Sequence, residues 1–195
     1  MPTFDDFLPV SAIPQVYKLD LEDDVPCANE VESPKKFNAF FQKILQDKRM
    51  IHDTSALGYF CDPTAKIDIS VVDGPIATWP HLIIPIELRC NLKRDQKSAL
   101  GQLSNRFNDI LHQQPEREFV IGAIASDVQI ELVRMDKVRN SQLAGPIPLD
   151  LSDKTSVGLD VLTRLVTSSY AANGYCPPSD TSRQIISAGI NQLSI

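Results

Sequence analysis

What this 195-residue chain lacks narrows its options first. No stretch approaches the roughly 18 consecutive apolar residues that a membrane-spanning helix needs, so a helical membrane protein is excluded. The N-terminus, Met-Pro-Thr-Phe-Asp-Asp, has no basic segment followed by an apolar one; no secretory leader is read there, and an intracellular location is expected, cytoplasmic or nuclear. The four cysteines, Cys27, Cys61, Cys90 and Cys176, stand far apart with no Cys-x-x-Cys, which argues against zinc and for reduced thiols in or near a core. His52, His81 and His112 have neither metal-ligand nor triad spacing. No internal repeat is visible.

What is there is a globular composition, 43% hydrophobic and 23% charged, with a net charge of −6. The length suits one domain with tails. The acidity is local: residues 1 to 34 hold eight acids (Asp5, Asp6, Asp20, Glu22, Asp23, Asp24, Glu30, Glu32) against Lys18, a net of −7, which leaves +1 for the remainder. Together with Pro2, Pro9, Pro14 and Pro26 this reads as an acidic arm over residues 1–32, ahead of a near-neutral domain over 33–178 and a Ser-rich tail over 179–195. The arm is either a solubilising segment or a phosphate mimic lying in a basic groove. Overall acidity therefore does not exclude a phosphate-bearing partner.

Periodicity supplies the elements. Ser33-Pro34 is a helix start, and Phe37, Phe40, Phe41, Ile44 and Leu45 fall on one stripe of a helix ending near residue 50. Tyr59 and Phe60 suggest a short strand, and Ile67 to Val72 alternate as a strand stopped by Asp73-Gly74-Pro75. His81 to Cys90 is apolar at nearly every position, the pattern of a strand buried on both faces, with Pro85 implying a bulge or an unpaired side. Ala99, Leu100, Leu103, Phe107, Ile110 and Leu111 predict a second helix over 95–113 that crosses the sheet. Two strands follow, 119–125 and 130–135, joined at Ser126-Asp127. A proline-containing loop with Gly145, Pro146 and Pro148 then leads to a helix over 156–172.

Two of these strands carry an acid among apolar residues: Asp68 in Lys-Ile-Asp-Ile-Ser and Glu87 in Pro-Ile-Glu-Leu-Arg. Burying a carboxylate there is expensive unless it is paired or binds a metal. Glu87 and Arg89 point to one face of their strand, and a hairpin turning within 73–81 brings Asp68 opposite them at an edge of the sheet. Two readings are open: a strand-end ion pair, or an oxygen-ligand site suited to Mg²⁺ or Mn²⁺, which would activate water and offset charge on a phosphate.

An Asp, then a strand with Glu-x-Lys, then a helix bearing Gln is the pattern of the PD-(D/E)XK nuclease-like fold, which this sequence resembles. More closely, Ile67 to Pro177 is similar to the region preceding the kinase domain in the fungal-type protein kinase family, and to the nuclease-like domain of fungal spore-killer proteins. The residues concerned are Lys66-Ile67-Asp68-Ile69, Trp79, Pro85-Ile86-Glu87-Leu88-Arg89, Gln102-Leu103, Gln114, Arg117-Glu118-Phe119-Val120, Arg134-Met135-Asp136-Lys137 with Ser141, and Asn173-Gly174-Tyr175-Cys176-Pro177. No kinase signature accompanies them: the sequence has no Gly-rich phosphate loop, His-Arg-Asp or Asp-Phe-Gly.

The resemblance implies an α/β, restriction-endonuclease-like fold with a central mixed β-sheet flanked by helices. It implies a metal-dependent DNA endonuclease in which Asp68 and Glu87 hold Mg²⁺ (or Mn²⁺), Arg89 contacts the phosphate and Gln102 orients the site. Lys93, Arg94, Lys97 and Arg106 are the candidate contacts to a nucleic-acid backbone, DNA rather than RNA. Two residues depart from the pattern: Arg89 stands where nucleases of this fold carry lysine, and Arg106 where many carry tyrosine. An arginine fork can clamp a phosphate or lock Glu87 in an ion pair that excludes metal. The alternative function is therefore a catalytically inactive nuclease-like module, regulatory or docking, associated with a kinase-like domain.

Overall fold

The computed structural model describes residues 37, 39–41, 49–54, 66–75 and 77–178. Six strands, β1 (Arg49–Asp53), β2 (Ile69–Asp73), β3 (Leu82–Leu88), β4 (Phe119–Ala125), β5 (Gln129–Asp136) and β6 (Ser141–Pro148), form one sheet whose spatial order is the order of the chain. Every neighbouring pair is antiparallel except β3 and β4, which run parallel. A parallel pair needs a crossover, and helix α1 (Leu92–Gln113) supplies it. Helix α2 (Val157–Thr167) follows β6.

α1 starts where Asn91 caps it, its side chain accepting from the Arg94 N–H at 3.0 Å. Leu92, Ala99, Leu103, Phe107 and Ile110 form its buried stripe, packed with Ile67, Val72, Leu82, Val120, Ile124, Val133 and Met135 on one face of the sheet. Phe107 approaches so closely that a Cβ on Gly122 would lie 2.9 Å from its ring and 2.7 Å from the Pro85 carbonyl oxygen. The other face is covered by α2, through Leu159, Val161, Leu162, Leu165 and Val166, and by the helical residues Phe37 and Phe41. The α/β class and the mixed sheet between helices are as the sequence implies.

A buried cation fastens the start of the parallel pair. Arg117 is fully buried and donates to the carbonyl oxygens of Leu82 (3.0 Å), Ile83 (2.7 Å), Phe119 (2.9 Å) and Asn173 (2.7 Å), and to Gln114 Oε1 (3.1 Å). All five guanidinium donors are thus used. Nearby, Tyr170 donates to Asp73 Oδ1 at 2.9 Å, and Arg49 lies over the Tyr170 ring while donating to the Val166 carbonyl oxygen at 2.7 Å.

The elements differ from expectation in three places. Residues 145–148, expected as loop, belong to β6: it is an edge strand, and an edge tolerates Pro146 and Pro148 because one side of it pairs with no strand among the described residues. Residues 49–53 are a strand rather than the end of the first helix. The last helix stops at Thr167, with Ser168 in extended conformation, and a turn occupies 170–174. Cys176 is exposed and Cys90 half-buried. The expected strand at Tyr59-Phe60, the acidic arm, the tail, Cys27 and Cys61 lie outside the described residues.

Candidate functional site

The β2–β3 hairpin aligns Ile69 with Ile86, which sets Asp68 opposite Glu87. The pairing expected from the spacing is formed, at the strand ends inside the sheet rather than at its lateral edge, since β3 is flanked by β2 and β4. The Leu88 N–H donates to Asp68 Oδ2 at 2.7 Å. Arg89, held where its N–H donates to the Ala125 carbonyl oxygen at 2.8 Å, turns its side chain back over the two acids. One guanidinium nitrogen lies 3.3 Å from Asp68 Oδ2; the other lies 3.4 Å from Glu87 Oε2 and donates to Gln102 Oε1 on α1. Asp68, Glu87, Arg89 and Gln102 therefore form one cluster joining three elements.

The electrostatics are dominated by Glu87, which is 3% exposed. Burial, reinforced by the charge of Asp68, pushes its carboxyl up to about 8, against the opposing pull of Arg89 and Arg106. The Glu87 carboxyl thus keeps its proton at neutral pH. Glu87 Oε1 is buried with no hydrogen-bond partner among the described residues.

These residues do not fit a resident divalent ion. Its place between the carboxylates is taken by the guanidinium. Among the described residues no three His, Cys, Asp or Glu side chains gather as a metal-holding group.

The basic residues divide. Lys93, Arg94 and Lys97 are exposed on the first two turns of α1, where Arg94 forms a forked pair with Asp95 at 2.9 and 3.0 Å. Arg106 turns inward instead: it donates to the Lys66 carbonyl oxygen at 3.2 Å and lies 3.7 Å from Asp109. It shares the face of Gln102 and is one of the charges felt by Glu87, so it belongs to the cluster rather than to an exposed basic row.

Sequence reasoning missed two buried charges, Arg117 and Glu131. Glu131 is 3% exposed within β5, and its Oε1 accepts from Gln96 of α1 at 2.7 Å. The signal was present in Ile-Glu-Leu-Val, an acid embedded in an apolar strand, just as for Asp68 and Glu87.

No helix among the described residues is long and apolar enough to cross a membrane. No curated protein matches the sequence. A solved structure from Anabaena variabilis, described as a nuclease candidate belonging to DUF820, aligns with 85% of this chain and 99% of its own at 13% identity and a TM-score of 0.40. The model of the family described as fungal protein kinase matches residues 66–191, which contain β2 to α2 and the whole cluster. That match spans well over half of the sequence, and the chain belongs to the fungal protein kinase family.

Proposed function

We propose that the domain is a non-catalytic, nuclease-like module that serves a kinase-like domain as a regulatory or docking partner. The observation that carries this reading is the Arg89 fork, lying between Asp68 and Glu87 and tied to Gln102. A phosphodiesterase of the expected type needs its two carboxylates free for a metal ion and a compact cation near the attacking water. A guanidinium is planar and permanently charged, and its geometry matches carboxylates. Here it supplies as a fixed side chain the positive charge that an ion would bring. Family membership supports the kinase association, and the absence of kinase motifs in this sequence favours a partner's role over phosphoryl transfer.

The test is incubation of the full chain with DNA and with RNA in Mg²⁺ or Mn²⁺. The expected result is no metal-dependent cleavage, with Asp68→Ala and Glu87→Ala indistinguishable from the unaltered chain. Cleavage that needs the metal and disappears in both variants would overturn the proposal and return the site to a phosphodiesterase, with Lys93, Arg94 and Lys97 as its backbone contacts. Arg89→Lys asks whether that one residue separates the two functions: cleavage gained only in that variant marks a site silenced by arginine.

A further inference from the structure

α1 is fastened to the sheet differently along its length. At its C-terminal end Gln114 donates to the carbonyl oxygens of Trp79 (2.6 Å) and Leu82 (2.8 Å), backbone groups that do not titrate. Toward its N-terminal end the helix is tied to Glu131 through Gln96, at 2.7 Å.

Glu131 occupies an irregular position. The β5–β6 register passes from Ile130 opposite Ile147 to Leu132 opposite Ala144, so Glu131 faces Gly145 and Pro146 across a bulge. The approach is close: a Cβ on Gly145 would lie 3.1 Å from Glu131 Cγ. On β4 its register neighbour is Ile124; beyond that isoleucine the titratable Glu87 stands on β3 and Arg89 just past its end. Of the α1 residues beside Gln96, Arg94 and Asp95 pair with one another. Glu131 Oε2 is buried and has no hydrogen-bond partner among the described residues.

We infer that Glu131 and Gln96 form a proton-dependent latch, which holds the N-terminal half of α1 on the sheet and loosens as pH rises. Protonated, the carboxyl places no charge beneath the helix, and its carbonyl oxygen accepts from the Gln96 amide. Ionised, it is a buried carboxylate with a single neutral donor, and lifting the helix lets water reach it. Burial raises the Glu131 carboxyl from its ordinary range, and the Gln96 hydrogen bond pulls the other way. The lifted state takes up fewer protons, so opening increases with pH from the ordinary Glu value of 4.5 up to the raised one and levels off beyond it. The same movement draws Gln102 away from Arg89.

Hydrogen exchange of the full chain, followed by mass spectrometry at pH 5 and 7 and corrected for the intrinsic exchange rate, tests the latch. The opening constant for α1 amides over 95–103 should rise by up to roughly tenfold per pH unit within that window. Because Glu87 lowers global stability over the same pH range, α1 and α2 are compared in a Glu87→Gln background, where amides of α2 should rise distinctly less. Glu131→Gln keeps an acceptor for Gln96 and has no proton to lose; it should abolish the excess. Gln96→Ala leaves Glu131 in place and should raise α1 exchange at both pH values while retaining the pH dependence. An unchanged excess in Glu131→Gln, an equal rise in α2, or no excess in the unaltered chain would overturn the proposal.

Discussion

Replacing Glu87 with glutamine should stabilise the protein at neutral pH, although it removes an acidic neighbour of Arg89. The folded state keeps the Glu87 proton until about pH 8, whereas an unfolded chain loses it near 4.5. Between those values the native state binds the extra proton, so stability falls as pH rises, by about 1.4 kcal/mol per unit and about 5 kcal/mol across the window. At pH 7 the accumulated loss is about 3 kcal/mol. Glutamine reproduces the protonated form: its amide can donate to Asp68, its oxygen can accept from Arg89, and it has nothing to ionise. Glu87→Gln should therefore match the unaltered chain near pH 4.5 and exceed it by about 3 kcal/mol at pH 7. Urea unfolding at several pH values, followed by the fluorescence of the single tryptophan, Trp79, reads both curves. Parallel curves, or a less stable variant at pH 7, would refute the assignment of a retained proton to Glu87.

Two other substitutions test the frame beneath the site. Arg117→Met should lower unfolding stability by about 3 to 5 kcal/mol, because it takes the guanidinium donor from the buried carbonyls of Ile83, Phe119 and Asn173 and leaves that of Leu82 with Gln114; a loss below about 1 kcal/mol in denaturant titration would show that water replaces the guanidinium. Gly122→Ala should lose about 1 to 3 kcal/mol, since its methyl meets the Pro85 oxygen at 2.7 Å and the Phe107 ring at 2.9 Å, and an additional Phe107→Leu should recover part of that loss.

Most of the sheet was legible because its strands and the crossing helix follow simple periods. β3 is apolar almost throughout and lies between two strands, and the α1 stripe of Ala99, Leu103, Phe107 and Ile110 is the one that packs. The placement of Asp68 against Glu87 followed from hairpin arithmetic. β6 was illegible because Gly145, Pro146 and Pro148 are turn residues everywhere except on an edge beside a bulge. β1 was hidden because its five residues continue a charged helical run in the sequence. The inward turn of Arg106 could not be read from spacing, since a long side chain at the rim of a helix can reach a backbone oxygen or point into water with the same pattern. Glu131 and Arg117 were overlooked for a related reason: their partners, Gln96 and a set of main-chain carbonyls, are set by tertiary packing rather than by neighbours in the chain.

The strands lie in space in the order in which they occur in the sequence. A chain built that way can assemble as it leaves the ribosome, each new strand meeting an edge already formed by its predecessor. One join departs from this, the parallel step from β3 to β4, which must wait for the 22 residues of α1. Loop-closure entropy grows only slowly with length, so the delay is modest. The sheet is complete at Pro148, and the segment that reaches back to its beginning comes afterwards, when Tyr170 meets Asp73 and the Asn173 carbonyl meets Arg117. Synthesis halted before that segment would leave a finished sheet whose buried arginine still lacked one of its five acceptors.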